Sequence, residues 1–161
     1  AEILTLLALH PKGLTAEQLA LALYGESGNP VTARAEIHRL RTQLGATVVS
    51  TKPYRLVAEV DADFLNIRKP LRERKVRDAV ALWRGPLLPR SNAPGVSAER
   101  EETLTHLRRL AIERGDPETL MTYVRAAPDQ EALEALARSL AWADPRRAWV
   151  ESQLRLCLMD D

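Results

Sequence analysis

Cysteine occurs once in this 161-residue chain, at position 157, and histidine three times, at positions 10, 38 and 106. A single thiol cannot close an internal disulfide, and histidines so far apart lack the spacing of a metal site or of a nucleophile and its base. Phosphate-cradling glycine loops, Gly-x-Ser-x-Gly and His-Glu-x-x-His are all missing, so catalysis has no motif behind it. The expectation is a protein that is no enzyme and carries no cofactor and no metal. No stretch approaches the roughly 18 apolar residues of a membrane span, and no basic-then-apolar leader opens the chain. A cytoplasmic protein without a membrane partner is therefore expected. What the sequence does have is 45% apolar and 28% charged residues, enough to bury a core. Ala1 already sits in a helical apolar pattern, which reads as an excerpt of a longer chain.

Charge is balanced overall and uneven locally. Residues 1–95 hold 14 Lys/Arg against 9 Asp/Glu, whereas residues 96–161 hold 9 against 13. Within residues 31–56, Arg34, Arg39, Arg41, Lys52 and Arg55 face Glu36 as the sole acid, so a polyanion is expected to meet that segment.

Periodicity and punctuation divide the chain. Ile3, Leu4, Leu6, Leu7 and Leu9 form a short helix that His10-Pro11-Lys12-Gly13 stops. Thr15 to Gln18 is a capping box opening a helix over about 16–24, which Gly25 ends. Pro30 suits a first helical position, and Ala33, Ile37, Leu40 and Leu44 then repeat at i, i+4, i+7 and i+11 up to Gly45. The period changes next. Ala46–Ser50 and Tyr54–Ala58 are β-prone runs separated by Thr51-Lys52-Pro53, a hairpin with a basic tip. Three helices followed by a hairpin is the order of a winged helix, here spanning residues 1–60.

Residues 61–161 read as helical throughout. One helix is expected over Asp61–Lys69, ending before Pro70, and another over Arg72–Arg84. The stretch Gly85–Gly95, with three prolines and two glycines, reads as an irregular loop. Ser97 is expected to cap a helix through Arg114, and Asp116-Pro117, Pro128-Asp129 and Asp144-Pro145 restart the chain with capping residues. The fold class is mainly α: a winged helix-turn-helix, then an all-α domain of helical hairpins. Trp83, Trp142 and Trp149 are expected to pack that second domain, and Cys157, in the stripe Leu154–Leu158, to lie in its core.

A helix that fits the major groove, steadied by neighbours that hold phosphates, is the chemistry such a module offers. With the core line at Ala33, Ile37, Leu40 and Leu44, the 100° helical step puts Val31, Ala35, His38, Arg39 and Thr42 on the opposite face, flanked by Arg34 and Arg41. Ala35 there permits close approach to base edges. Arg39 is the first choice for a base contact, since its guanidinium can fork onto guanine.

The segments Leu6–Pro11, Leu14–Ala20, Arg34–Arg41 and Pro53–Leu56 together resemble the OmpR-type winged helix of bacterial transcription regulators. The later Ala81-Leu82-Trp83-Arg84-Gly85-Pro86-Leu87-Leu88 resembles the helical transcriptional-activation domain that follows such a winged helix in antibiotic-regulatory activators. A similar pairing closes regulators that carry an upstream GAF sensor. The resemblance implies a sequence-specific DNA-binding transcriptional regulator, with Thr32, Ala35, Glu36, Arg39 and Arg41 at groove-facing positions and Lys52 at the wing tip. It implies duplex DNA as partner, RNA polymerase or an upstream sensor domain as candidate protein partners, and a homodimer as a candidate state. A rival reading stays open: a protein-interaction module whose winged helix has lost DNA. Glu36, and the near balance of 6 basic against 5 acidic residues before position 61, speak for it.

Overall fold

Helix boundaries in the first third of the chain fall where the stop signals stand. The computed structural model describes residues 1–45, 47–157 and 159, in two compact units: residues 1–65 with 86–102, and residues 66–85 with 103–161.

In the first unit, α1 (Glu2–Leu9), α2 (Ala16–Tyr24) and α3 (Pro30–Leu44) precede an antiparallel hairpin of β1 (Val49–Thr51) and β2 (Tyr54–Leu56). The capping box forms as expected, Thr15 accepting from the Gln18 amide while Gln18 accepts from that of Thr15. Asn29 caps α3, accepting from the Val31 N–H at 2.8 Å, with Pro30 at the first helical position. The hairpin register pairs Thr51 with Tyr54, so Thr51 belongs to a strand and the turn shrinks to Lys52-Pro53. The expected strand start at Ala46 lies outside the described residues.

The link between α1 and α2 fastens the hairpin. Leu14 and Tyr54 exchange both backbone hydrogen bonds, each 2.9 Å. Gly13, at φ +89°, makes this approach possible, because a Cβ there would stand 2.6 Å from the Pro53 ring. The core beneath is Leu6, Leu7, Leu19, Ala33, Ile37 and Val49. Leu44, expected on the core line, is instead 45% exposed, and the line ends at Leu40, which packs against the core's edge.

The irregular loop closes this core. Ala93 and Val96 are buried in it, and Leu87 and Leu88 pack against it. Gly95 sits where a Cβ would meet Leu6 at 2.9 Å and Ala22 at 3.0 Å. Arg100 holds the loop's shape by donating to the carbonyls of Leu87, Leu88 and Ser91 and to the Ser97 hydroxyl. The expected cap at Ser97 is therefore corrected: α7 (Pro94–Arg114) starts a turn earlier, and Ser97 lies inside it.

The second unit holds α4's successors. After α4 (Asp63–Asn66) come α5 (Arg68–Arg72) and α6 (Val76–Leu82), where two longer helices were expected. Pro70 does not end a helix: it is the third residue of α5, where its missing N–H has no intrahelical bond to make. Between α5 and α6 the chain turns through Arg74 at φ +57°. The second half of α7 is followed by α8 (Pro117–Ala126), α9 (Gln130–Ser139) and α10 (Arg146–Cys157), with α8 packed on α9 and α9 on α10. Their aspartates work as expected: Asp116, Asp129 and Asp144 accept from the amides of Thr119, Ala132 and Arg146.

Asp129 also accepts from the buried Tyr123 hydroxyl at 3.1 Å and from Arg108 at 3.1 Å. Burial, then the Asp129 charge, pushes the Tyr123 phenol far above its ordinary value. Trp83 stacks on Tyr123 at 5.7 Å, and Trp149 and Cys157 pack against the core. Trp142 departs from the expectation. It lies in the turn between α9 and α10, 89% exposed, with the Arg147 guanidinium 5.5 Å from its ring. No described helix is long and apolar enough to cross a membrane.

Candidate nucleic-acid interface

The outward face of α3 is set by what its inner face must do. Ala33 and Ile37 are buried against α2 and the hairpin core, and the 100° step then leaves Val31, Thr32, Arg34, Ala35, His38, Arg39 and Thr42 exposed. Arg41 is half-buried at the edge of this face. Of the positions chosen on α3, Glu36 and Arg41 are half-buried at its two edges and the others are exposed. Ala35 leaves a small centre between larger neighbours, and the Thr42 hydroxyl turns back to donate to the His38 carbonyl at 3.0 Å.

Lys52 stands on the two-residue turn of the hairpin and Arg55 in β2, opposite Ser50, and both are exposed. Strand alternation places Arg55 on the face away from Val49 and Leu56, which point to the core. The Ser50 hydroxyl donates to the Pro53 carbonyl at 2.9 Å and stiffens the tip. Among the described residues, no acid pairs with Lys52 or Arg55.

Two arginines of α3 are differently placed. Arg34 meets Glu17 of α2 at 3.0 Å, and Arg39 meets Glu36, one turn back on α3, at 2.6 Å. Hydrogen bonding at the start of α2 holds the Glu17 carboxyl below its ordinary value, with Arg34 adding a smaller electrostatic share. Exposed pairs of this kind contribute about 0–1 kcal/mol and exchange readily for other partners. Glu17 escaped the sequence reading because its reach to Arg34 depends on how α2 crosses α3. Glu36 was visible, since i and i+3 residues share a helical face.

The arrangement is a short helix face with a small centre and cationic flanks, next in the chain to a hairpin with a basic tip. Such a face can hydrogen-bond base edges through arginine, and such a tip can hold phosphate. No family model and no solved structure matches this chain. An uncharacterized 47.3 kDa protein in the thcA 5′ region of Rhodococcus erythropolis is 33% identical over 161 residues, covering 99% of this chain and 37% of that protein. The chain spans little more than a third of the relative it matches.

Proposed function

We propose that this chain is the DNA-reading output part of a larger transcriptional regulator, working by recognition and not by catalysis. The observation that carries the reading is the exposed face of α3, with Arg34, Ala35, His38, Arg39 and Thr42 on one side of a helix whose other side is buried. Lys52 and Arg55 on the hairpin would grip phosphate and fix the helix in the groove, as in a winged helix of the OmpR type. The helical second unit would serve protein contacts, with RNA polymerase, an upstream sensor or a second copy of the chain as candidate partners.

The test is binding of the full chain to random-sequence duplex across a salt series. About four or five phosphate contacts from Arg34, Arg39, Arg41, Lys52 and Arg55 displace counterions and give a log–log slope near −4, with Arg34 leaving Glu17 on contact. No binding at about 50 mM salt, or a slope near zero, overturns the reading. A specific observation favours the rival, a protein-interaction module: the first unit carries 8 Lys/Arg against 10 Asp/Glu, a net −2. The same salt series separates the two.

A further inference from the structure

An acid on the flank of a DNA-reading face, half-buried between the core line and Arg39, needs an explanation of its own. Glu36 is not structural ballast: its bond with Arg39 is exposed, with Arg39 71% and Glu36 35% accessible, and such pairs add little to stability. A carboxylate has only acceptors at neutral pH, so phosphates repel it, as do the acceptor edges of guanine and thymine. In the major groove it is satisfied by an exocyclic amino group, and the cytosine N4 amine is its ordinary match.

Arg39 supplies the complement. The Glu36 Oε1 contact occupies Nη1 and, among the described residues, leaves the other guanidinium nitrogens free, enough to fork onto guanine O6 and N7. Residues three apart on a helix are separated by about 4.5 Å along its axis, of the order of the ~3.4 Å rise between base pairs, so a bonded pair would address neighbouring pairs where α3 runs along the groove. Ala35 beside them lets the backbone approach closely enough for a side chain of Glu36's length.

From this we infer that Glu36 and Arg39 act as one specificity-determining couple, Glu36 selecting cytosine and Arg39 guanine in adjacent base pairs. The inference rests on the DNA reading above. Glu36 also lowers affinity for every wrong sequence, because its charge must then face acceptors or phosphate, which is discrimination by repulsion.

The experiment uses the full chain. Sites are selected from a random duplex pool with the wild type, and the best site is then competed against its single-base variants for wild type, Glu36→Gln and Arg39→Lys. The wild type is expected to prefer cytosine next to guanine, by about tenfold at each. Glu36→Gln should lose the cytosine preference, keep that for guanine, and bind unselected duplex a few-fold more tightly with a slope steeper by about 1. Arg39→Lys keeps the charge but not the fork, so it should lose the guanine preference at unchanged slope. Thermal unfolding of both variants is expected to match the wild type, since the pair is exposed.

An equal gain on all sequences in Glu36→Gln, with base preference intact, makes Glu36 a brake only and overturns the couple. Wild-type binding without base preference overturns it too while leaving DNA binding standing. No duplex binding by the wild type overturns the DNA reading itself.

Discussion

Cations are spent differently in the two units. The first is net −2, yet it contains the face proposed to meet DNA. The second holds 15 Lys/Arg against 12 Asp/Glu, a net +3, of which seven cations fall within residues 66–85. Much of that charge is structural. Arg74 pairs with Glu113 and Arg77 with Asp116, tying the α5–α6 region to α7 and α8. Arg108 binds Asp129 and Glu131, Arg146 binds Asp144 and Glu118, and Arg147 donates to the Ala137 and Leu140 carbonyls at the end of α9. The lesson is that a net charge does not locate a polyanion site; shape and the partners of each cation do.

The sharpest way to break this comparison is to attack the core that the returning loop completes. Val96→Asp would bury an unpaired carboxylate among Leu6, Leu7 and Leu19 and should cost more than about 3 kcal/mol, abolishing DNA binding by unfolding the first unit. Circular dichroism melting read alongside near-ultraviolet signals of Trp83 and Trp149 checks it. If the variant melts like the wild type, residues 86–102 are not part of that core.

Charge placement comes next in size. Lys52→Glu with Arg55→Glu is expected to weaken duplex binding at least tenfold at low salt, losing phosphate contacts and adding repulsion. Lys69→Glu with Arg72→Glu, two exposed cations of α5 in the more basic unit, should change it by less than twofold. Fluorescence anisotropy on one duplex decides between them, and the reverse order would move the polyanion site to the second unit.

A smaller effect tests the caps of the second unit. Backbone hydrogen bonds from Thr119, then the bond from Arg77, hold the Asp116 carboxyl down at about 2, against its ordinary 3.8. A carboxylate lowered on folding stabilises fully above its unfolded value and loses that contribution as pH falls towards the folded one. Asp116→Ala should therefore cost about 1 kcal/mol at neutral pH. The gap in melting temperature to wild type should persist down to about pH 4 and close towards pH 2. A gap independent of pH over that range would remove the charge from the account.

Smallest of all, Trp142→Ala should change stability by less than about 0.5 kcal/mol, because an 89% exposed ring loses little beyond its contact with Arg147 among the described residues. Trp83→Ala, removing a ring stacked on buried Tyr123, should cost several times more by the same melting assay. Equal losses would show that Trp142 packs after all.

Much of this molecule was legible in the chain because the signals are local. Proline and glycine stops, the Thr15 capping box, and the aspartates before α8, α9 and α10 act on amides two or three residues away, so sequence spacing alone fixes them. The outward side of α3 followed for the same reason, from the buried pair Ala33 and Ile37 and a constant turn angle. Tertiary structure alone decided what depends on elements distant in the chain. Glu17 finds Arg34 across a helix crossing, and Leu14 pairs with a hairpin forty residues later. A proline-rich loop with no periodicity returns and, with the first turn of α7, brings Ala93 and Val96 into the core that holds Leu6. Apolar residues declare that they will be buried, but burial is non-directional, so the partner is chosen only when the whole core is assembled.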